Sequence, residues 1–298
     1  MHRIIPLNLK SGDTVRVVAP AGKVDPANLQ IGLDWLAERY RVSYEDSITE
    51  TDGYLAGNDD RRGAELQRAV AAPDAGAVIA ARGGFGTSKI LEQLNINPLA
   101  SRPKWIVGSS DLTTLLMHLW DRQRLVTIHG PMAATIHRTT PADLMMLVDM
   151  LEGRATHTRH TLTSRFLGRA EGPIIGGNLT MLAHLMGSID INCFNDAILF
   201  LEDVGEKPYR LDRYLTQLHR AGVLTRLSGI VLGEFTRCEA PDTERTVLDA
   251  LESTLAFLNI PVAAGYPAAH GGRNAPFFHG AQSVLTVSKD TAILESYT

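Results

Sequence analysis

Two kinds of apolar pattern alternate along this chain. Residues 14–19, 77–81, 104–107 and 126–128 are short, mostly apolar runs, each closed off by a glycine- or proline-containing turn. Such unbroken runs mark parallel strands buried on both faces. Between them, apolar residues recur at helical spacing: Leu29, Leu33 and Leu36; Leu66, Ala69 and Val70; Ile90, Leu91 and Leu94; the apolar members of 112–120; and Leu144, Leu147, Val148 and Leu151. Asp25-Pro26, Asn58-Asp59-Asp60 and Thr140-Pro141 stand where helices should begin, with a capping side chain first and proline tolerated in the first turn.

The alternation of strand, loop and helix predicts an α/β fold, with an N-terminal doubly wound, mostly parallel sheet over residues 1–153. Functional loops are expected at the carboxyl ends of its strands. Residues 154–169 are polar, rich in threonine and histidine and weakly periodic, and read as a connector. Residues 170–298 then read as a second, smaller α/β domain. It would contain a tight turn at Gly176-Gly177 leading into a helix with Leu182, Leu185 and Met186. Strands are expected at 197–201, 230–235 and 261–264, helices at 210–221 and 242–258, and a final hairpin pairing 283–287 with 291–294.

Composition narrows the class. The 298 residues carry a net charge of −4, so no cationic footprint for nucleic acid is present. No apolar run is long enough for a membrane span, and the N-terminal residues lack the pattern of a signal peptide. Cys193 and Cys238 are isolated, without metal-ligand spacing, which points to a reducing compartment. The expectation is a cytoplasmic protein without metal or cofactor, and without nucleic-acid or membrane partners.

Gly108-Ser109-Ser110-Asp111 joins a predicted buried strand to a predicted helix. A serine on such a turn is held clear of the sheet, and the free N–H groups of the helix's first turn can stabilise an oxyanion. The alternative is that Ser110 or Asp111 caps the helix. A nucleophilic serine needs a base. His270 stands out, beyond an apolar strand and beside Gly271-Gly272. His129, at a strand end, is a weaker candidate; His118 lies within a helix, and His157 and His160 fall in the polar connector. Glu202 directly follows the apolar run 197–201, where a carboxylate is partly desolvated and needs a partner. It could orient the histidine, or Glu202 or Asp203 could pair with Lys207 or Arg210. Arg82-Gly83-Gly84-Phe85-Gly86 lacks the third glycine of a dinucleotide fingerprint, Lys89 standing in its place. A backbone N–H of Gly83 or Gly84 could instead complete an oxyanion hole with that of Asp111; the alternative is a plain strand-to-helix turn. No H-E-x-x-H motif or Cys/His cluster suggests a metal hydrolase.

With these residues in view, the chain resembles the LD-carboxypeptidases, serine peptidases that trim muropeptides, and their microcin-immunity relatives. The resemblance runs through Val18-Ala19-Pro20-Ala21, Ala81-Arg82-Gly83-Gly84-Phe85-Gly86, Gly108-Ser109-Ser110-Asp111-Leu112-Thr113, His129-Gly130-Pro131, Gly176-Gly177-Asn178-Leu179, the stretch from Leu201-Glu202-Asp203 to Pro208-Tyr209, and His270-Gly271. It implies Ser110 as nucleophile on the N-terminal domain, with His270 as general base and Glu202 as its orienting residue on the C-terminal one. It also implies a homodimer. From the residues themselves, backbone oxyanion donors are expected at Gly84 and Asp111 and substrate contacts at Arg82, Gly83, Asn178 and Arg273; Arg82 and Arg273 border the predicted loops, where a guanidinium could hold the substrate's terminal carboxylate. The family usually has an aromatic residue where this chain has Ser109.

Three functions follow as expectations. The first is a serine carboxypeptidase that cleaves an L,D bond to release terminal D-alanine from murein tetrapeptides in cell-wall recycling. The second is a hydrolase of microcin-type peptide–nucleotide adducts, and the third a binding protein for small molecules without catalysis. The Ser/Glu/His set favours the enzymes.

Overall fold

A computed structural model describes residues 2–239, 246–268 and 270–298. The chain divides into two compact units, Met1–Thr156 with Asn274–Phe278, and His157–Arg273 with His279–Thr298. Among the described residues no helix is long and apolar enough to cross a membrane.

The first unit is built on β1 (Thr14–Val18), β2 (Arg41–Ser43), β3 (Ala75–Ala80), β4 (Trp105–Gly108) and β5 (Thr127–His129). They pair in parallel in the order β5-β4-β3-β1-β2. Helices α1 (Pro26–Ala37), α2 (Asp59–Ala71), α3 (Asn97–Ser101) and α4 (Thr113–Gln123) make the crossovers, and α5 (Pro141–Leu151) follows β5. The caps work as the sequence pattern requires: Asp25 accepts from Asn28 N, Asn58 from Arg61 N and Thr140 from Asp143 N. The stretch with Ile90, Leu91 and Leu94 is not the expected helix. It forms two 3₁₀ turns, Thr87–Lys89 and Leu91–Gln93. Ile90 and Leu91 are buried with Leu66, Leu99, Leu112 and Leu115, so core burial rather than a continuous α-helical ladder sets the path there.

The second unit is a closed barrel. It comprises β6 (His157–Phe166), β7 (Gly168–Asn178), β8 (Ile198–Val204), β9 (Gly229–Thr236) and β10 (Val262–Ala264), with helices α6 (Leu179–His184), α7 (Pro208–Arg220) and α8 (Val247–Leu255). The chain then forms β11 (Phe277–His279), which joins the sheet of the first unit beside β5, before β12 (Gln282–Val287) and β13 (Ala292–Tyr297) complete the barrel. Its order is β10-β6-β13-β12-β7-β8-β9, closed by parallel pairing of β10 with β9. The expected C-terminal hairpin is present as the antiparallel β12–β13 pair. The expected helix at 242–258 begins outside the described residues; within them it is α8 and a 3₁₀ turn, Ala256–Leu258.

Residues 154–169 are not a connector over most of their length, because 157–166 are strand β6. Thr158 and Leu162 point inward while charged neighbours face out. Thr158 sits opposite Ser296, whose hydroxyl bonds that of Ser283 at 2.7 Å. An inner face lined partly by small hydroxyl residues gives alternation without an apolar run. His160 is accordingly not a solvated connector residue; its ring packs on Tyr266 at 4.6 Å. Gly176 and Gly177 form the end of β7 rather than a tight turn. Gly176 has φ 115°, and a Cβ there would lie 2.3 Å from the Phe200 carbonyl oxygen on β8.

Close approach also decides Gly32 on α1. A Cβ at Gly32 would lie 2.0 Å from the carbonyl oxygen of Ala133, whereas one at Gly63 on α2 would meet only Ile90 at 3.8 Å. Gly32→Ala should therefore cost at least about 1–3 kcal/mol through forced displacement of α1. Gly63→Ala should be neutral or stabilising by up to about 1 kcal/mol, from helix propensity alone. Urea unfolding of the two variants checks this, and equal effects would contradict it.

The ends of α1 and α5 are joined by Glu152, whose carboxylate holds the guanidinium groups of Arg39 and Arg154 and accepts from the Tyr40 hydroxyl at 3.0 Å. The bond from Arg39, above all, holds its pKa at about 2, below the ordinary 4.5. A depressed folded-state value adds stability above pH 4.5 that is lost as pH falls through 2. Glu152→Gln should flatten the acid limb of the stability–pH curve over that window. An acid limb identical to wild type would contradict it.

Candidate active site

Ser110 follows β4, whose four residues are all buried. It has φ 60°, in the left-handed region that side chains with a Cβ rarely enter. It opens a 3₁₀ turn, Ser110–Leu112, that runs directly into α4. Neither that turn nor α4 has a side-chain cap, so the capping alternative for Ser110 and Asp111 fails. Asp111 is turned elsewhere: its Oδ2 accepts from Thr87 N at 2.9 Å. Burial pushes its carboxyl above the usual aspartate range.

The loop after β3 lies against this turn. A Cβ at Gly83 would come within 2.8 Å of Ser110 Cβ, 3.0 Å of its Oγ and 3.4 Å of Asp111 N. Only a glycine allows that approach. Gly83 O accepts from Gly22 N at 3.0 Å, and Gly84 takes φ 110°. Gly83, Gly84, Ser110 and Asp111 are thus gathered at the carboxyl ends of β3 and β4, as the sequence suggested. Arg82 is exposed, and its Nη1 donates to Lys23 O at 2.6 Å.

One residue that holds this loop was not legible in the sequence. Arg62 on α2 is fully buried, donating through Nη1 to Pro20 O at 2.6 Å and Gly86 O at 2.8 Å, and through Nε to Gly57 O at 3.3 Å. Nη2 pairs with Asp59. One guanidinium therefore ties three loops together, with Gly86 immediately before Thr87, the donor to Asp111. A buried arginine within an amphipathic helix looks like any surface arginine by spacing alone. Ser109 is also buried, and its Oγ accepts from Asn274 Nδ2 at 3.5 Å, while Asn274 N donates to Asp143 Oδ2 at 3.1 Å. His129 is buried and stacked on Phe277, with ring centroids 4.9 Å apart. Burial of His118 lowers its pKa below the ordinary imidazole value.

In the second unit, Glu202 is buried near the end of β8. Its Oε2 lies 2.9 Å from His270 Nδ1. A carboxylate only accepts, so Nδ1 carries a proton, and in the neutral tautomer this bond selects Nε2 is the acceptor. The β8–β9 register shifts between Leu201 and Asp203. Such an irregularity re-aims side chains at a strand end. Asp203 faces different partners: Asn178 Nδ2 at 3.0 Å, Thr180 N at 2.9 Å and Thr180 Oγ1 at 2.8 Å. Burial, reinforced by the neighbouring Glu202, pushes the Asp203 carboxyl up. Arg210 pairs instead with Glu206 at 3.4 Å, and among the described residues neither acid forms an ion pair with Lys207 or Arg210. Asn178 also caps α6 by accepting from Met181 N at 3.1 Å. Arg273 is exposed.

The chain is similar to known proteins over most of its length. Residues 15–130 match the LD-carboxypeptidase N-terminal domain and residues 171–285 the LD-carboxypeptidase C-terminal domain. The murein tetrapeptide carboxypeptidase of Pseudomonas aeruginosa is 32% identical over 285 residues, covering 91% of this chain and 92% of that protein. The microcin C7 self-immunity protein MccF of Escherichia coli is 24% identical over 306 residues, covering 90% and 89%. Among solved structures, muramoyltetrapeptide carboxypeptidase from Oxalobacter formigenes superposes with a TM-score of 0.84 at 29% identity, covering 96% of this chain and 99% of that one.

Replacing Arg62 by leucine should strand three buried carbonyl groups. The cost should be about 3 kcal/mol or more, since each unsatisfied buried acceptor costs about 1–3 kcal/mol. Chemical denaturation measures it, and a cost below about 1 kcal/mol would mean that Arg62 does not hold these loops.

Proposed function

Since the chain belongs to the LD-carboxypeptidase family, we propose that it is a serine-type carboxypeptidase acting on murein peptides. The bond cleaved is the L,D bond before the terminal D-alanine of a tetrapeptide. The observation that carries the enzymatic reading is the buried Glu202–His270 pair, a base already oriented by a carboxylate. The substrate class is supported by the relatives named for murein tetrapeptide and muramoyltetrapeptide.

In this reading Ser110 Oγ attacks the scissile carbonyl while His270 Nε2 takes its proton. Glu202 keeps the imidazole in the correct tautomer and stabilises the imidazolium. The backbone N–H groups of Gly84 and Asp111 donate to the oxyanion. His270 then returns the proton to the departing D-alanine amine, and water hydrolyses the acyl-serine by the same steps. The likeness to MccF supports a second reading, hydrolysis of a peptide–nucleotide adduct, which uses the same three residues on another leaving group.

Release of D-alanine from murein tetrapeptide tests the first reading, with a peptide–nucleotide adduct assayed in parallel. Ser110→Ala should lower turnover by on the order of 10⁴ or more and leave stability nearly unchanged, because the hydroxyl contributes little to packing while Cβ and the backbone conformation stay the same. Glu202→Gln and His270→Ala should each lower turnover strongly. The double variant should be little worse than His270→Ala, because residues acting as a unit are not additive. Losses that multiply would make Glu202 an independent contact and break the proposed triad.

A further inference from the structure

The first unit carries a cationic cleft whose role the triad leaves unassigned. It encloses about 280 Å³ and is lined by Asp25, Asn28, Arg82, His137 and Arg138 among others. These residues come from the start of α1 after β1, the loop after β3 and the 3₁₀ turn after β5, all following the carboxyl ends of strands, as Ser110 follows β4. Two hydrogen bonds fix the walls. Ala134 N donates to Ala81 O at 2.9 Å, holding the 133–138 turn against the end of β3, and Arg82 Nη1 donates to Lys23 O at 2.6 Å.

The charge balance is one-sided. Two guanidinium groups line it with a single carboxylate, and that carboxylate already accepts from Asn28 N at 2.9 Å as the cap of α1. Arg138 has no ion pair among the described residues, unlike Arg39, Arg61, Arg62, Arg68 and Arg154 of the same unit. Placing unneutralised cations together in a concave site costs repulsion, and an anionic ligand would offset it. Arginine's fork suits a carboxylate in particular. Arg82 directly precedes Gly83, whose backbone abuts Ser110, so one wall of the cleft belongs to the same loop that packs on the serine turn.

We propose that this cleft is the carboxylate subsite of the enzyme, in which Arg138, assisted by Arg82, binds the free terminal carboxylate of the peptide substrate. The inference rests on the peptidase reading above. It makes Arg138 a specificity-determining residue that selects a free chain end.

The test compares a murein tetrapeptide bearing a free terminal carboxylate with the same peptide as its C-terminal amide. Arg138 is exposed, so Arg138→Gln should fold with unchanged denaturation midpoint. Its KM for the free acid should rise on the order of tenfold or more, as expected for loss of a charged hydrogen bond. Its kcat should stay within a few-fold, and its KM for the amide should match wild type. Arg138→Lys should recover part of the loss. Wild-type KM for the free acid should rise with ionic strength, and that of Arg138→Gln should not. An unchanged KM for the free acid, or equal changes for acid and amide, would overturn the subsite while leaving the peptidase standing. Absence of D-alanine release by the wild type would instead overturn the peptidase reading, and the subsite with it.

Discussion

The structure of the first unit depends on holding one serine in an unfavourable backbone conformation. At φ 60° Ser110 occupies the left-handed region, at a cost of about 1–2 kcal/mol for a residue with a Cβ. The surroundings supply the constraint that keeps it there. β4 is fully buried, and a Cβ at Gly108 would lie 2.7 Å from Leu112 Cβ, so the turn is packed tightly from below. Gly83 closes it from the side. Asp111 is anchored to Thr87, and Arg62 anchors Gly86 beside it. A strained turn persists where neighbouring interactions over-determine it, and such turns present a reactive side chain at a strand end.

The second unit solves a related problem with charge. A carboxylate buried like Glu202 is costly without a partner, and His270 Nδ1 at 2.9 Å provides one. The neighbouring Asp203 is satisfied by a different set of donors from Asn178 and Thr180. Two adjacent acids at the end of one strand are thereby given separate environments, and the slip in the β8–β9 ladder lies where they diverge. The carboxylate that faces a histidine is the one the proposed mechanism uses.

Much of the first unit was legible in the sequence because its strands are unbroken apolar runs and its helices carry caps. Ser110, Gly83 and Gly84 were legible because strand, glycine and helix signals meet there, and Glu202 because an apolar run ends on it. The barrel was harder to read. β6 buries Thr158 alongside Leu162, so its alternation carries little hydropathy contrast and resembles a linker. Gly176 is required by the approach of β8, a long-range contact that no local pattern encodes. β11 carries the chain from one unit back to the sheet of the other with Phe277 and Phe278, packed on His129 and Trp105. Two phenylalanines next to a glycine-rich loop do not announce which core they enter. Arg62 was hidden for the converse reason, a charged residue on a helix whose burial depends on loops at Pro20 and Gly86, both distant in sequence.

The central claim is that Ser110 is a nucleophile activated by the Glu202-oriented His270. It is tested most directly by reaction with a fluorophosphonate, in which Ser110 Oγ attacks phosphorus, fluoride departs and the proton passes to the base. Peptide mapping by mass spectrometry should find a stoichiometric adduct on Ser110, and the labelling rate should fall by orders of magnitude in His270→Ala. An adduct on another residue, or an undiminished rate in His270→Ala, would contradict the account.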